Sequence, residues 1–213
     1  MKGDRLLIGP EHTARAEELC DQIGADLAER AVITVAGESG AGKSELGQEV
    51  ARLLTERGIP TGIIQQDDYF VFPPRTNHEM RRRNLEQVGL FEVKLGLLDS
   101  NLRSYKRGES PIYKPVVDYD QDRIGWAEVD YSDFRAVVVE GTYTTTLSFA
   151  DHRIFIDRNY QQTRAHREAR GRDALEPFID AVLAREHELI SAHRALADYV
   201  VDADLKSVQR QET

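Results

Sequence analysis

One eight-residue run limits what this chain can become more than any other feature. It reads Gly37-Glu38-Ser39-Gly40-Ala41-Gly42-Lys43-Ser44 and matches G-x-x-x-x-G-K-[S/T], the phosphate-binding loop. Glycines at these positions let the backbone curl, so that successive N–H groups converge on an anion at a helix N-terminus. The loop needs a buried strand before it and an amphipathic helix after it. Both are present: Ala31 to Ala36 (AVITVA) is a compact β-branched run, and Leu46, Val50, Leu53 and Leu54 form a helical stripe closed by Gly58 and Pro60. A strand that is apolar throughout belongs in a parallel sheet covered on both faces.

The rest of the chain alternates in the same way. Ala16, Leu19, Ile23 and Leu27 fall at helical spacing within 11–29, so residues 1–30 read as an N-terminal helical extension. Gly62 to Ile64 is a short strand leading into Gln65-Gln66-Asp67-Asp68. Residues 73–89, opening with Pro73-Pro74, read as a mobile loop or a broken helix. Phe91, Leu95, Leu98, Leu102 and Tyr105 are spaced for one helix face, and 111–133 reads as irregular. Ala136 to Val139 and Arg153 to Ile156 are further strands. Residues 160–172 form a basic helical stretch, and a long helix over 174–196 is interrupted early by Pro177. Tyr199 to Val201 is a closing strand. The expected fold is a three-layer α/β domain spanning 1–213, with a lid at about 160–173.

Composition narrows the partners. With 28 basic and 37 acidic residues the net charge is −9, the opposite of what a broad nucleic-acid surface needs. A single cysteine, Cys20, excludes a disulfide framework and a cysteine-based zinc cluster. Apolar stretches are far too short for a membrane span, and no apolar signal segment opens the chain, so a soluble cytoplasmic protein is expected. Oligomeric state is left open.

The phosphate loop implies binding of a nucleoside triphosphate with Mg²⁺. Gly37, Glu38, Ser39, Gly40, Ala41 and Gly42 would wrap the phosphates, Lys43 would reach the β- and γ-phosphates, and the Ser44 hydroxyl would ligate the metal. No N/T-K-x-D guanine motif marks a GTPase switch, and the strand ending Val139-Glu140-Gly141 lacks the Asp-Glu of motor ATPases. Transfer of a phosphoryl group to a small molecule remains, with a nucleotide-binding regulatory module as the rival from another class.

Several segments in order resemble the uridine kinase and phosphoribulokinase family of P-loop kinases. They are the phosphate loop, Gln66-Asp67-Asp68-Tyr69-Phe70, Pro111-Ile112-Tyr113, Val139-Glu140-Gly141-Thr142, Arg170-Gly171-Arg172-Asp173 and Ala197-Asp198-Tyr199-Val200-Val201. The resemblance runs from about Val32 to Asp202. It implies a parallel sheet with a helical lid and ATP-dependent phosphorylation of a hydroxyl. It assigns Asp67 as the general base, Lys43 as a catalytic phosphate contact, and Glu140 with Ser44 as holders of Mg²⁺. Lid arginines Arg164 and Arg167 would cover the triphosphate. Asp68 competes with Asp67 by adjacency, but only one of two neighbouring side chains on an extended strand can face the γ-phosphate.

For the acceptor, the resemblance points to Glu86 within Asn84-Leu85-Glu86-Gln87-Val88 and to Tyr113; Tyr69, Arg123 and Arg172 are further candidates to line the pocket. The sequence lacks the family's His-Pro after the acidic residue and carries Pro115 and Asp118 where an aromatic and a histidine would help hold a base. A nucleoside such as uridine, a sugar or sugar phosphate, and a pantothenate-like alcohol all remain as acceptors. Arg81, Arg82 and Arg83 would suit a substrate that already carries phosphate, and a solvated charge run is the plainer reading of them. A pure sensor would need no acceptor base, so Asp67, Glu140 and the basic lid together favour the kinase.

Overall fold

In the computed structural model, residues 6–24, 27–170 and 177–211 are described. The chain begins with α1 (Pro10–Ile23) and β1 (Ala31–Gly37), then passes through the phosphate loop into α2 (Lys43–Glu56) and β2 (Thr61–Gln65). Next come α3 (Pro74–Arg83), α4 (Leu95–Lys106) and the strands β3 (Ile112–Asp118) and β4 (Arg123–Val129). β5 (Ala136–Glu140) and β6 (His152–Ile156) return to the main sheet. They are followed by α5 (Arg164–Arg170), α6 (Pro177–Ile190), β7 (Tyr199–Val201) and β8 (Val208–Arg210).

The main sheet has the order β2-β5-β1-β6-β7-β8, parallel except for the antiparallel edge strand β8. β1 lies at its centre with all seven residues buried. Alternation along the strands feeds two cores. Ile33 and Val35 of β1 with Ala136 and Val138 of β5 face α1 and α2, whereas Val32, Val137 and Val139 face α4, Tyr69 and Tyr131. This is the three-layer α/β arrangement that continuous apolar strands imply.

α1 is part of the core rather than an appendage. Ala16, Leu19, Cys20 and Ile23 are buried with Leu46, Val50 and Leu54 of α2. The Thr13 hydroxyl donates to Glu49 at 2.7 Å. Burial pushes the Cys20 thiol up to about 11, as suits a packing residue. Pro10 occupies the first turn, where its missing N–H costs nothing.

Four segments differ from the sequence reading. Residues 74–83 form a regular helix, because Pro74 stands at its start and not inside it. The stretch read as irregular is the antiparallel hairpin β3–β4, in which Pro115 is tolerated because a two-stranded ribbon has free edges. Phe91 sits in a 3₁₀ turn, 91% exposed, and the helix it was assigned to begins at Leu95. α6 is described over Pro177–Ile190 and gives way to a 3₁₀ segment at Ser191–Leu196, while 174–176, the part read before Pro177, lie outside the described residues.

Because Leu19 is fully buried between α1 and α2, Leu19→Ala should lower unfolding free energy by about 2–5 kcal/mol in urea titrations. A change below about 0.5 kcal/mol would mean that α1 is dispensable to the core.

Candidate active site

The phosphate loop joins the end of β1 to the start of α2. Gly40 and Gly42 take φ of 79° and 101°, which L side chains rarely adopt. A Cβ on Gly40 would also stand 2.4 Å from Cγ of Arg167, so glycine lets that arginine rest on the loop. Lys43 opens α2 and its Nζ donates to the Glu38 carbonyl at 2.9 Å. Ser44 follows, and its hydroxyl donates to Oε2 of Glu140 at 3.1 Å.

Glu140 reaches this point by register. It ends β5 between Val35 of β1 and Gln65 of β2. The Gln65 amide donates to its Oε1 at 3.1 Å. Burial, reinforced by the charge of Asp67, pushes the Glu140 carboxyl up to about 7, against the pull of Lys43, Ser44 and Gln65. A buried carboxylate facing a hydroxyl, beside a second carboxylate and a lysine, is an environment that a cation would relieve.

The segment after β2 is a 3₁₀ turn, Gln66–Tyr69, and this tight turn separates its side chains. Gln66 turns to the loop after β5, where its Oε1 accepts from the Tyr143 N–H at 2.8 Å. Asp67 lines the crevice together with Lys43, Ser44 and Glu140. Asp68 points the other way and is paired with Lys114 at 2.6 Å, while its Oδ1 accepts from the Val117 N–H at 3.1 Å. One of the two acids faces the crevice, as expected, although a 3₁₀ turn and not strand alternation divides them.

The assigned loop and lid residues are distributed as follows. Gly37 closes β1 and Ala41 is buried in the core. Ser39, Gly40, Gly42, Lys43 and Ser44 line the crevice. Glu38 turns away from it: its carboxylate accepts from the Tyr160 N–H at 2.5 Å and meets Nδ1 of His187 at 2.6 Å. Burial raises the Glu38 carboxyl above its ordinary value, opposed by His187. Arg167 is 7% exposed, lines the crevice, and donates to the Tyr160 carbonyl at 3.2 Å. Arg164 shares that face by its spacing but is exposed and paired with Glu168 one turn further along α5. Arg172 lies outside the described residues.

The acceptor assignments are scattered. Tyr69 is fully buried in the core and its hydroxyl accepts from Asn101 at 2.9 Å, so it does not reach the crevice. Glu86 is exposed on a 3₁₀ turn, and Arg123 is exposed at the start of β4. Tyr113 is 58% exposed and stacks on Trp126 at 5.2 Å, on the outer face of the hairpin. The crevice beyond Asp67 is instead lined by Phe70, Phe72, Asn77, His78, Arg81, Tyr119, Tyr143, Ile179 and Glu186. Asn77, His78 and Arg81 share one face of α3, a helical spacing visible once the segment is known to be a helix. Buried Glu92 holds this wall: it accepts from Arg81 Nε at 2.5 Å, Asn77 Nδ2 at 2.6 Å and the Gly89 N–H at 2.7 Å. Glu92 braces the wall from behind through Asn77 and Arg81 and does not itself line the crevice, where the acid on that side is Glu186.

A phosphate loop, an inward acid after the second strand and a carboxylate ending the neighbouring strand define a P-loop kinase domain. Comparison with known proteins specifies it. The phosphoribulokinase / uridine kinase family model matches residues 32–192, and the chain belongs to that family of ATP-dependent small-molecule kinases. It is 26% identical over 189 residues to a bifunctional alpha-galactosidase/sucrose kinase of Mediterraneibacter gnavus, covering 82% of this chain and 20% of that protein. The chain thus spans about a fifth of that relative's length. A uridine kinase of Leuconostoc citreum is 25% identical over 185 residues, covering 80% of this chain and 86% of its own length. Among solved structures, a possible uridine kinase from Bacillus stearothermophilus has the same fold, with TM-score 0.67 and 20% identity over 88% of this chain and 97% of that one. Among the described residues no helix is long and apolar enough to cross a membrane.

The raised Glu140 carboxyl carries a stability prediction. Its folded value near 7 exceeds the ordinary 4.5, so the unfolded chain releases this proton first, and stability falls as pH rises through that window. Glu140→Gln should therefore stabilise the ligand-free protein by about 1–3 kcal/mol at pH 8. In thermal melts the gain should shrink as pH approaches 5. A gain that is the same at both pH values would show that Glu140 is not strained by its charge.

Proposed function

We propose that this chain transfers the γ-phosphoryl group of ATP to a hydroxyl of a small polyhydroxy compound, in the manner of a uridine kinase with a nucleoside or sugar acceptor. The observation that carries the proposal is Asp67: it shares one crevice with Lys43, Ser44 and Glu140, while its neighbour Asp68 is neutralised by Lys114. A triphosphate sensor has no need of an uncommitted carboxylate at that point.

The loop N–H groups and Lys43 bind the phosphates, and Arg167 offsets charge on the transferring group. The acceptor hydroxyl docks against Asp67, whose carboxylate takes its proton as the oxygen attacks phosphorus, an assistance worth about 10²–10⁴-fold. Ser44 and Glu140 fit Mg²⁺: both are oxygen donors, and burial leaves Glu140 in need of a cation. Among the described residues no group of three or more His, Cys, Asp or Glu could hold a metal alone. This suits an ion that draws its remaining ligands from phosphate and water. When bound, that ion neutralises phosphate charge and polarises the transferring group.

The acceptor wall favours an uncharged polyol. Asn77, His78 and Tyr119 supply hydrogen-bonding groups, and Phe70 and Phe72 supply apolar faces. The names of the relatives, a bifunctional alpha-galactosidase/sucrose kinase and a uridine kinase, support a sugar or a ribose in this position. Arg81 favours a second reading, an acceptor bearing phosphate or carboxylate, but Glu92 at 2.5 Å already meets its charge.

The test is ADP release with a panel of nucleosides, free sugars, sugar phosphates and pantothenate. Turnover should appear with an uncharged sugar or nucleoside. Asp67→Asn should then lower kcat by about 10²–10⁴-fold and leave ATP binding intact. ATP binding without turnover on any acceptor would favour the regulatory module.

A further inference from the structure

Glu186 is a buried carboxylate for which the chemistry above has no use. It lies on α6, is 4% exposed, and lines the crevice. Its Oε1 accepts from the Ser39 N–H at 2.8 Å, and its Oε2 from the Ser39 hydroxyl at 3.2 Å. The next residue, His187, meets Glu38 at 2.6 Å. Two consecutive residues of α6 therefore grip two consecutive residues of the phosphate loop. Lys43 is also turned inward, donating to the Glu38 carbonyl at 2.9 Å. Groups suited to bind phosphate are thus satisfied by the protein's own oxygens.

A backbone N–H makes one good hydrogen bond at a time, and Ser39 gives its own to a carboxylate. Polyphosphate arriving in the same cradle brings further negative charge to within a few ångströms of that carboxylate, in a site shielded from water. One anion must give way. α6 is built to allow this: its deepest apolar anchor, Ile190, is one turn beyond Glu186 and belongs to the core shared with α4, so the Glu186 side chain can change partners while the helix end stays fixed.

We propose that Glu186 is a positioning residue that stands in for a terminal phosphate of the nucleotide, holding Ser39 in the ligand-free chain and surrendering it when ATP binds. The proposal rests on the ATP-binding reading and adds that ATP affinity is set partly by this internal competitor. The loop is kept in a bound-like shape with its polar groups satisfied, and the cost is affinity. The competition concerns the outer phosphates, so it should separate nucleotides by phosphate number.

Calorimetric titration of the full chain with ATP and with AMP tests it. Glu186→Gln keeps the shape and an acceptor for Ser39 but removes the charge. It should tighten ATP by roughly tenfold, the scale of one partly screened charge at this range, and alter AMP by less than about twofold. Weaker or unchanged ATP binding, or equal tightening of AMP, overturns the proposal, because a merely structural change would not distinguish the two nucleotides. A measurement on the wild type guards against a variant that fails to fold. With ¹³C-carboxyl-labelled glutamate, the Glu186 resonance should shift on saturation with ATP and stay in place with AMP, and a resonance unmoved by ATP overturns the exchange. Absence of ATP binding in wild type and variant alike overturns the nucleotide-binding reading itself, and this proposal with it.

Discussion

A carboxylate held at the buried end of a strand organises this site. Glu140 can stand where it does only because parallel register sets it between Val35 and Gln65, and because α2 begins one residue before Ser44. Moving β5 by one residue against its neighbours would turn the carboxylate to the opposite face of the sheet and bring Val139 in its place. Ala136 to Val139 are apolar towards both cores, so such a slip would fall hardest on Glu140 itself, which would lose its Ser44 and Gln65 partners.

The same logic explains the turn after β2. A 3₁₀ segment rotates successive side chains by about 120°, so Gln66, Asp67 and Asp68 are directed apart, with Gln66 and Asp67 at the crevice and Asp68 turned from it. Asp68 is fixed by Lys114 and by the Val117 N–H, and Gln66 by the Tyr143 N–H. With both neighbours tied down, Asp67 has a defined direction without any partner of its own having to hold it.

Elements with one strong periodicity were legible from sequence. β1, β5 and α2 are dictated by unbroken β-branched runs and by a single apolar stripe, and the phosphate loop fixes how they connect. α3 and the β3–β4 hairpin were not legible, for opposite reasons. α3 is almost entirely polar, so no stripe announces it, and Pro73-Pro74 reads as a breaker until the helix start is known. The hairpin mixes Pro, Asp and Tyr on a ribbon packed on one side, which blurs alternation. Much of the crevice lining beyond Asp67 comes from these two elements and the turn between β3 and β4. That is why local sequence points to Glu86, which lies exposed on a 3₁₀ turn, and to Tyr69, whose side chain fills the core. Glu186 was invisible for another reason: nothing local marks it, and only the close approach of α6 to the loop gives it a role.

The ion pair between Asp68 and Lys114 joins the turn that aims Asp67 to the inner face of the β3–β4 hairpin. The outer face of that hairpin, with Tyr113 and Trp126, takes no part in the joint. A ribbon fastened on one side only can exchange its exposed residues freely, lengthen at its tip or acquire a new contact surface, while Asp67 keeps its aim. The hairpin is in effect an adjustable panel hinged to a fixed crevice, which is one physical route by which a single scaffold can take on unlike surfaces.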